Sequence, residues 1–347
     1  MAPIGVAIVG SGIFVKEQHL PAVAQASDLL SLKAIFSRSL KSAQETAALT
    51  TNGASLELYS NDAGVGRTYH DLLLREDIGA VIIALPILSQ PEHIEAALKA
   101  GKHVLAEKPI AADIAGGKKL IDYWKGLPGK ATLSIAENHR FLPSFTYAAE
   151  QAAHMGRVTH FDIKSFGLMR SDNKYFNTAW RKTPEYQGGF LLDGGVHHAA
   201  TARLFLRGKD SAASQVAAYS QQAQEHLPPI DSVTAIVKTK SGASGAFQIS
   251  SGTRLSAYEW QVGYEKGSVK VAGEKVTVTT ENGEETVKEF ERTSGVKEEV
   301  AAWAQGIASG KQNPLQTPEE ALADLEFLEK MFRSGEQDGA MQKYELQ

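Results

Sequence analysis

Ile4-Gly5-Val6-Ala7-Ile8-Val9-Gly10-Ser11-Gly12-Ile13-Phe14-Val15 opens the chain and decides its fold. The apolar run from Ile4 to Val9 reads as a buried strand. A glycine turn follows at once, and Lys16 to Gln25 then carries a helical pattern in which Pro21 predicts a kink or a break. Strand, glycine turn and helix in this order are the context in which G-x-G-x-x-G binds a dinucleotide. Gly10 permits the tight turn and Gly12 lets the backbone approach a pyrophosphate. The amides of Ser11, Ile13 and Phe14 stand at the helix start, where unpaired N–H groups attract anions. Val15 occupies the third glycine position, so the helix is expected to pack slightly farther from the sheet. Taken alone, the match is also what an ordinary strand-to-helix turn looks like.

Further units follow the first. Ser31 to Phe36 reads as a second strand and ends in Ser37-Arg38-Ser39. An NAD-specific protein places an acidic residue about twenty residues beyond the glycine turn, on the ribose 2′-hydroxyl. Here Arg38, the hydroxyls of Ser37 and Ser39, and Lys41 at a helix start suit the 2′-phosphate of NADP instead. A solvated basic turn with Ser39 as an N-cap is the plainer alternative. Tyr69 to Arg75 reads as a helix, Ala80 to Leu85 as a buried strand stopped by Pro86, and Glu92 to Ala100 as a helix closed by Gly101. His103 to Leu105 is the next strand, Ala115 to Trp124 the next helix, and Ala131 to Ala136 a strand running into Glu137-Asn138-His139-Arg140. Ligands in open parallel sheets bind outside the carboxyl ends of the strands. Leu85, Pro86, Glu107, Lys108 and Asn138, all at such ends, therefore join the expected cofactor set, and Lys108 stands where a catalytic residue belongs.

After about Phe141 the alternation of strand and helix stops. Strand-like runs take over at Thr159 to Phe166, Gln215 to Tyr219, Val233 to Lys238, Ser244 to Ile249, Glu259 to Tyr264, Ser268 to Val271 and Lys275 to Thr280. Lys240-Ser241-Gly242 and Glu281-Asn282-Gly283-Glu284 suit hairpin turns. Two domains are expected, residues 1–138 and 139–347, with the boundary near 137–143.

Bulk properties narrow the function. Thirty-six basic against forty acidic residues give a net charge of −4, so no electrostatic footprint for nucleic acid or an anionic membrane is present. Cysteine is absent, which excludes disulfides, thiolate nucleophiles and cysteine-ligated zinc. The ten histidines show no H-x-x-x-H or H-E-x-x-H spacing, and no metal is expected. The amino terminus has no positive n-region, and the most apolar segment, Ala80 to Leu88, contains Pro86 and is far short of a span. A cytoplasmic location is the expectation.

The joint occurrence of Gly10-x-Gly12, His19-Leu20-Pro21, Tyr69-His70-Asp71-Leu72-Leu73, Ala97-Leu98-x-x-Gly101-Lys102-His103-Val104, Glu107-Lys108-Pro109 and Gly188-Gly189-x-x-x-Asp193-x-Gly195-x-His197 resembles the Gfo/Idh/MocA oxidoreductases. Thr317-Pro318-Glu319-Glu320-Ala321-Leu322 is similar to that family's closing helix, and Trp180-Arg181-Lys182 with Phe190 to His198 looks most like a fungal NADP-dependent branch. The resemblance implies an α/β Rossmann domain followed by an α+β domain with a large, mostly antiparallel open sheet. It also implies a homodimer or homotetramer formed through that sheet.

Hydride transfer to or from a nicotinamide needs a partner that moves a proton at the substrate oxygen. Asp193 and His197 are spaced i and i+4, so a helix beginning near Asp193 puts both on one face. Carried over from the family, His197 is the acid/base, Asp193 orients it or binds substrate, and Lys108 is the electrostatic partner or an alternative proton donor. Seen singly, a lysine such as Lys108 is more often a solvated strand-end charge, and a pair such as Asp193 with His197 more often a helix-start cap and its neighbour. Tyr175, Trp180 and Arg181 are expected on a loop over the cofactor, with Trp180 and Tyr175 walling the substrate; a packing tryptophan beside a surface arginine is the alternative. Two departures from the family pattern, Gln90 for a histidine and Ala200 for an aspartate, make a polyol substrate unsafe to infer. The expected activity is an NADP(H)-dependent oxidoreductase on a small carbonyl or hydroxyl compound. A catalytically silent NADP-sensing regulator and an NAD-retaining glycosidase-type enzyme of the same fold are the alternatives.

Overall fold

The run Ile4–Val9 forms β1, buried from Gly5 onward, as a parallel strand covered on both faces must be. The computed structural model describes residues 2–51 and 53–347. A π-helical turn (Val15–His19) and α1 (Leu20–Gln25) follow, then β2 (Leu30–Ser37), α2 (Leu40–Ala47), β3 (Glu57–Ser60), α3 (Tyr69–Leu73) and β4 (Ala80–Ile83). Next come α4 (Gln90–Lys99), β5 (His103–Glu107), α5 (Ile114–Gly126), β6 (Leu133–Ala136) and α6 (Pro143–Ala152). The middle of the chain holds β7 (Val158–Leu168), α7 (Ala179–Lys182), α8 (Phe190–Phe205), β8 (Ala213–Gln221), β9 (Ser232–Thr239), β10 (Ser244–Ser250) and β11 (Gly252–Tyr264). It closes with β12 (Gly267–Ala272), β13 (Lys275–Thr280), β14 (Glu285–Glu289), α9 (Val296–Ser309), α10 (Pro318–Gly335) and β15 (Gln342–Lys343).

The chain divides into two compact units, one of residues 1–138 and 294–321, the other of 139–293 and 322–347. The first is built on a six-stranded parallel sheet in the order β3-β2-β1-β4-β5-β6, the doubly wound arrangement. Strand order reverses at β1, so the loops leaving β1 and β4 part there and open the crevice in which such sheets bind ligands. The chain does not break at Pro21: helical backbone runs from Ile13 to Gln25, with a π-turn just before the proline. The N–H of Leu20 reaches back to the carbonyl of Val15, and Pro21 then lies at the start of α1, where its missing N–H forfeits no bond. β3 has no sequence signature: Glu57–Ser60 is a short, mixed edge strand that shows no period.

Residues 294–321 group with the first unit. Val296, Val300, Trp303 and Ala304 recur at helical spacing on α9 and are buried in one cluster with Val6, Ile8, Val15 and Leu20. The second unit carries a nine-stranded sheet, β14-β13-β12-β11-β7-β10-β9-β8-β15, antiparallel except for the β7–β10 pair. Along β9, buried Val233, Ala235, Val237 and Thr239 alternate with exposed Thr234, Ile236 and Lys238, the signature of a sheet with one face in the core. Phe145 meets Trp260 edge to face at 4.9 Å in that core, and Phe247 meets Phe327 at 5.4 Å. Among the described residues, no helix is long and apolar enough to cross a membrane.

Candidate active site

At the β1 end the backbone is shaped for close approach. Gly10 has φ +128°, donates its N–H to the carbonyl of Phe36 at 2.8 Å, and lies so near β4 that a Cβ would come within 2.3 Å of the Ala84 carbonyl oxygen. Gly12 is exposed and a Cβ there would meet nothing within 4 Å. Helical backbone begins at Ile13 and Phe14, and the buried hydroxyl of Ser11 has no protein partner. Open space before Gly12, an orphaned hydroxyl and a helix start fit a phosphate group.

The end of β2 presents the basic turn. Ser37 is buried, Arg38 is exposed and enters no ion pair among the described residues, and Lys41 is exposed in the first turn of α2. Ser39 is the N-cap expected of it, its Oγ accepting from the Ser42 amide at 3.3 Å. Asp62 was not legible as a site residue, because β3 before it was not. Its Oδ1 accepts the Leu40 amide at 2.7 Å and the Ser60 hydroxyl at 2.6 Å, and these bonds hold its carboxyl below the usual range. A carboxylate thus already serves the helix start assigned to a 2′-phosphate.

Leu85 and Pro86 lie just past β4, which ends at Ile83 rather than Leu85. Glu107 is the last residue of β5, and Lys108 follows it, joined to Pro109 by a cis peptide. Two buried side chains hold Glu107. His19, fully buried, places Nε2 2.8 Å from the Glu107 carboxylate, and Gln90, 1% exposed, donates its amide to the Glu107 carbonyl at 3.0 Å. The Asn138 amide, expected at the cofactor, donates to the Ser294 carbonyl at 2.6 Å.

The second unit gathers the remaining residues. α8 starts at Phe190, so Asp193 falls in its first turn and His197 one turn later. The preceding Gly189 has φ +52° and sits so close to Pro228 that a Cβ would approach the Pro228 carbonyl oxygen to 2.1 Å. Asp193 is buried and accepts from Arg181 Nε at 2.7 Å. Arg181 also donates to the Tyr175 carbonyl at 3.0 Å and stacks over the Trp180 ring at 4.1 Å. Arg181 is thereby tied to Asp193, a pairing the spacing of the sequence does not announce. Tyr186 also escaped the sequence reading: its ring lies 6.3 Å from Trp180, its buried hydroxyl has no protein partner, and burial, then Asp193, push its ionisation upward.

His197 and His198 separate cleanly. The His197 ring is partly exposed and stacks on His139, with centroids 4.2 Å apart. His198 points into the core between Tyr258 and Trp260 and shares a hydrogen bond with Ser165 Oγ at 3.1 Å. Burial first and His197 second push its pKa down to about 3, so it is neutral near pH 7.

Comparison with known proteins agrees with this architecture. The family model described as an oxidoreductase family with an NAD-binding Rossmann fold matches residues 4–132, and its companion, the C-terminal alpha/beta domain, matches 151–343. The dehydrogenase FPY6 of Fusarium mangiferae is 39% identical over 97% of this chain and 98% of its own. A D-xylose 1-dehydrogenase (NADP(+)) of Haloferax volcanii is 25% identical over 90% and 96%. The crystal structure of an oxidoreductase from Thermotoga maritima superposes with a TM-score of 0.86 at 31% identity, covering 98% of each chain.

Proposed function

The chain belongs to the Gfo/Idh/MocA oxidoreductase family, and we propose that it is an NADP(H)-dependent dehydrogenase or reductase of a small carbonyl or hydroxyl compound, sugar-like or a simpler aldehyde or ketone. The observation that carries the cofactor assignment is Arg38, exposed and outside any ion pair among the described residues at the end of β2, beside the capped start of α2. A guanidinium there can take a 2′-phosphate in two charge-assisted bonds. Gly10, Ser11, Gly12, Ile13 and Phe14 would hold the pyrophosphate, with Ser37, Ser39 and Lys41 at the ribose end. When bound, the nicotinamide supplies or accepts the hydride.

The chain's own residues supply the proton. His197, whose partly exposed ring is braced by His139, gives a proton to the substrate oxygen in reduction and removes it in oxidation. The Lys108 ammonium stabilises the developing alkoxide. Asp193 with Arg181, and the Trp180 and Tyr175 beside them, bind and orient the substrate. His198 is held against Tyr258, Trp260 and Ser165 and stays neutral near pH 7, which favours His197 of the adjacent pair for that exchange.

Titration of the nucleotide-stripped protein with NADPH and NADH side by side tests the reading. Clear NADPH preference with reversible binding supports it and directs a screen of aldoses, aldehydes and ketones. Preference for NADH, or nucleotide that cannot be stripped, overturns it in favour of a retained-NAD enzyme. We also propose self-association through the outer face of the nine-stranded sheet, where Tyr219 and Ile236 are exposed; a monomer by light scattering would refute it.

A further inference from the structure

We propose that His19 and Gln90 are positioning residues for Lys108, acting by gripping the residue before it, Glu107, at two separate points. The inference rests on the role given to Lys108 above. The β4–β5 ladder ends at the Ile83–Ala106 pair, so Glu107 keeps strand pairing on one side only, opposite Ala136 of β6, and Lys108 lies beyond both ladders. On the β4 side, what holds Glu107 comes from two side chains elsewhere in the unit. Its carboxylate is met by His19 Nε2, from the π-turn after the glycine loop, at 2.8 Å. Its main-chain carbonyl is met by Gln90 Nε2, from the first residue of α4, at 3.0 Å.

Both side chains are poor choices for stability alone. His19 is fully buried and its Nδ1 has no protein partner; Gln90 is 1% exposed and its Oε1 has none either. A half-satisfied buried polar group is worse than an apolar one of the same shape, so such groups ask for a reason other than packing. Each makes its hydrogen bond to Glu107. Phe14 stands edge-on to the His19 ring at 5.3 Å, which fixes the imidazole's plane, so the grip is rigid. Holding a residue by its side chain and its carbonyl together removes both rotation and translation of the peptide that leads into Lys108.

Lysine labelling tests this without needing the natural substrate. The full-length protein, with and without saturating NADPH, is treated with trinitrobenzenesulfonate. The rate at Lys108 relative to exposed Lys130 is read by mass spectrometry across pH. His19→Phe and Gln90→Leu are expected to change that ratio severalfold, while His19→Gln, which retains a donor, stays near wild type. On any carbonyl substrate the enzyme turns over, the first two variants are expected to lower kcat about 10- to 100-fold, with KM and NADPH affinity unchanged. An unaltered labelling ratio in a folded variant overturns the proposal. If Gln90→Leu does not fold, Gln90→Glu, which offers no donor when ionised, takes its place. Undiminished turnover in Lys108→Met would instead overturn the role of Lys108 and leave the labelling ratio to judge the grip.

Discussion

His139 and His197 lie face to face, ring centroids 4.2 Å apart and planes within 15°, although they stand far apart in sequence. The stack fixes the plane of the His197 imidazole, and proton transfer is steep in orientation. His197→Ala is expected to lower turnover by roughly 10²–10⁴-fold while sparing nucleotide binding. His139→Phe, which keeps a flat face, should retain more turnover than His139→Ala. Steady-state kinetics beside a fluorescence titration checks both, and near-normal turnover in His197→Ala would move the proton role to Lys108.

Arg38→Ala should weaken NADPH far more than NADH, by about 1.5–3 kcal/mol for a lost charge-assisted contact. Paired titrations of the two nucleotides measure it. Equal weakening of both would remove Arg38 from the 2′-phosphate.

Asp62→Asn should act in the opposite sense. The Asp62 carboxylate already accepts the Leu40 amide at the start of α2, and its charge repels a phosphate brought to the same turn. Removing that charge is expected to tighten NADPH relative to NADH. The same titrations decide, and an unchanged ratio places the 2′-phosphate away from Asp62.

His198 makes stability depend on pH. Its pKa is lowered from 6.5 to about 3 in the folded chain, so below 6.5 the unfolded state binds the proton and the folded state does not. The stability from a neutral His198 is therefore fully present above 6.5 and falls as pH drops toward 3, by roughly 1.4 kcal/mol per pH unit. Denaturant unfolding at pH 7 and pH 5 should show the gap between wild type and His198→Gln narrowing in acid. A gap that stays constant would mean that the folded chain protonates His198 freely.

Asp324 is the buried hub of the second unit. Its two oxygens meet Arg140 at 2.5 Å and Arg203 at 2.6 Å, with Asp324 and Arg140 each 1% exposed. Asp324→Ala strips the carboxylate from two guanidinium groups and should destabilise the fold by about 3–5 kcal/mol, read as a lower unfolding midpoint in denaturant. A shift under ~1 kcal/mol would mean that other groups satisfy both arginines.

Local pattern determined much of this protein. The apolar run before Gly10-Ser11-Gly12, the proline after β4 and the glycine after α4 are short-range signals, and β1, β4, α4 and β5 lie within a few residues of where those signals put them. The strand-like runs and the hairpin turns between them marked most strands of the second sheet for the same reason. Elements whose stability comes from their neighbours were silent: β3 and β14 are short edge strands, and β14 is exposed throughout, so no alternation could mark it. α9 carries an apolar stripe, yet nothing in that stripe says that it packs against β1 and α1 rather than the sheet next to it in sequence. The same limit governs the candidate site. Sequence named Lys108 and Arg38 from their places at strand ends, and Asp193 and His197 through the family resemblance that their motif carries. Only the tertiary structure could decide that His19 and Gln90 hold Glu107, that Arg181 holds Asp193, that Asp62 reaches the start of α2, and that His197 stacks on His139 while His198 meets Tyr258 and Trp260. Hydrogen bonds and stacking act over a few ångströms in space, and spacing along the chain does not encode which distant residues the fold brings within that reach.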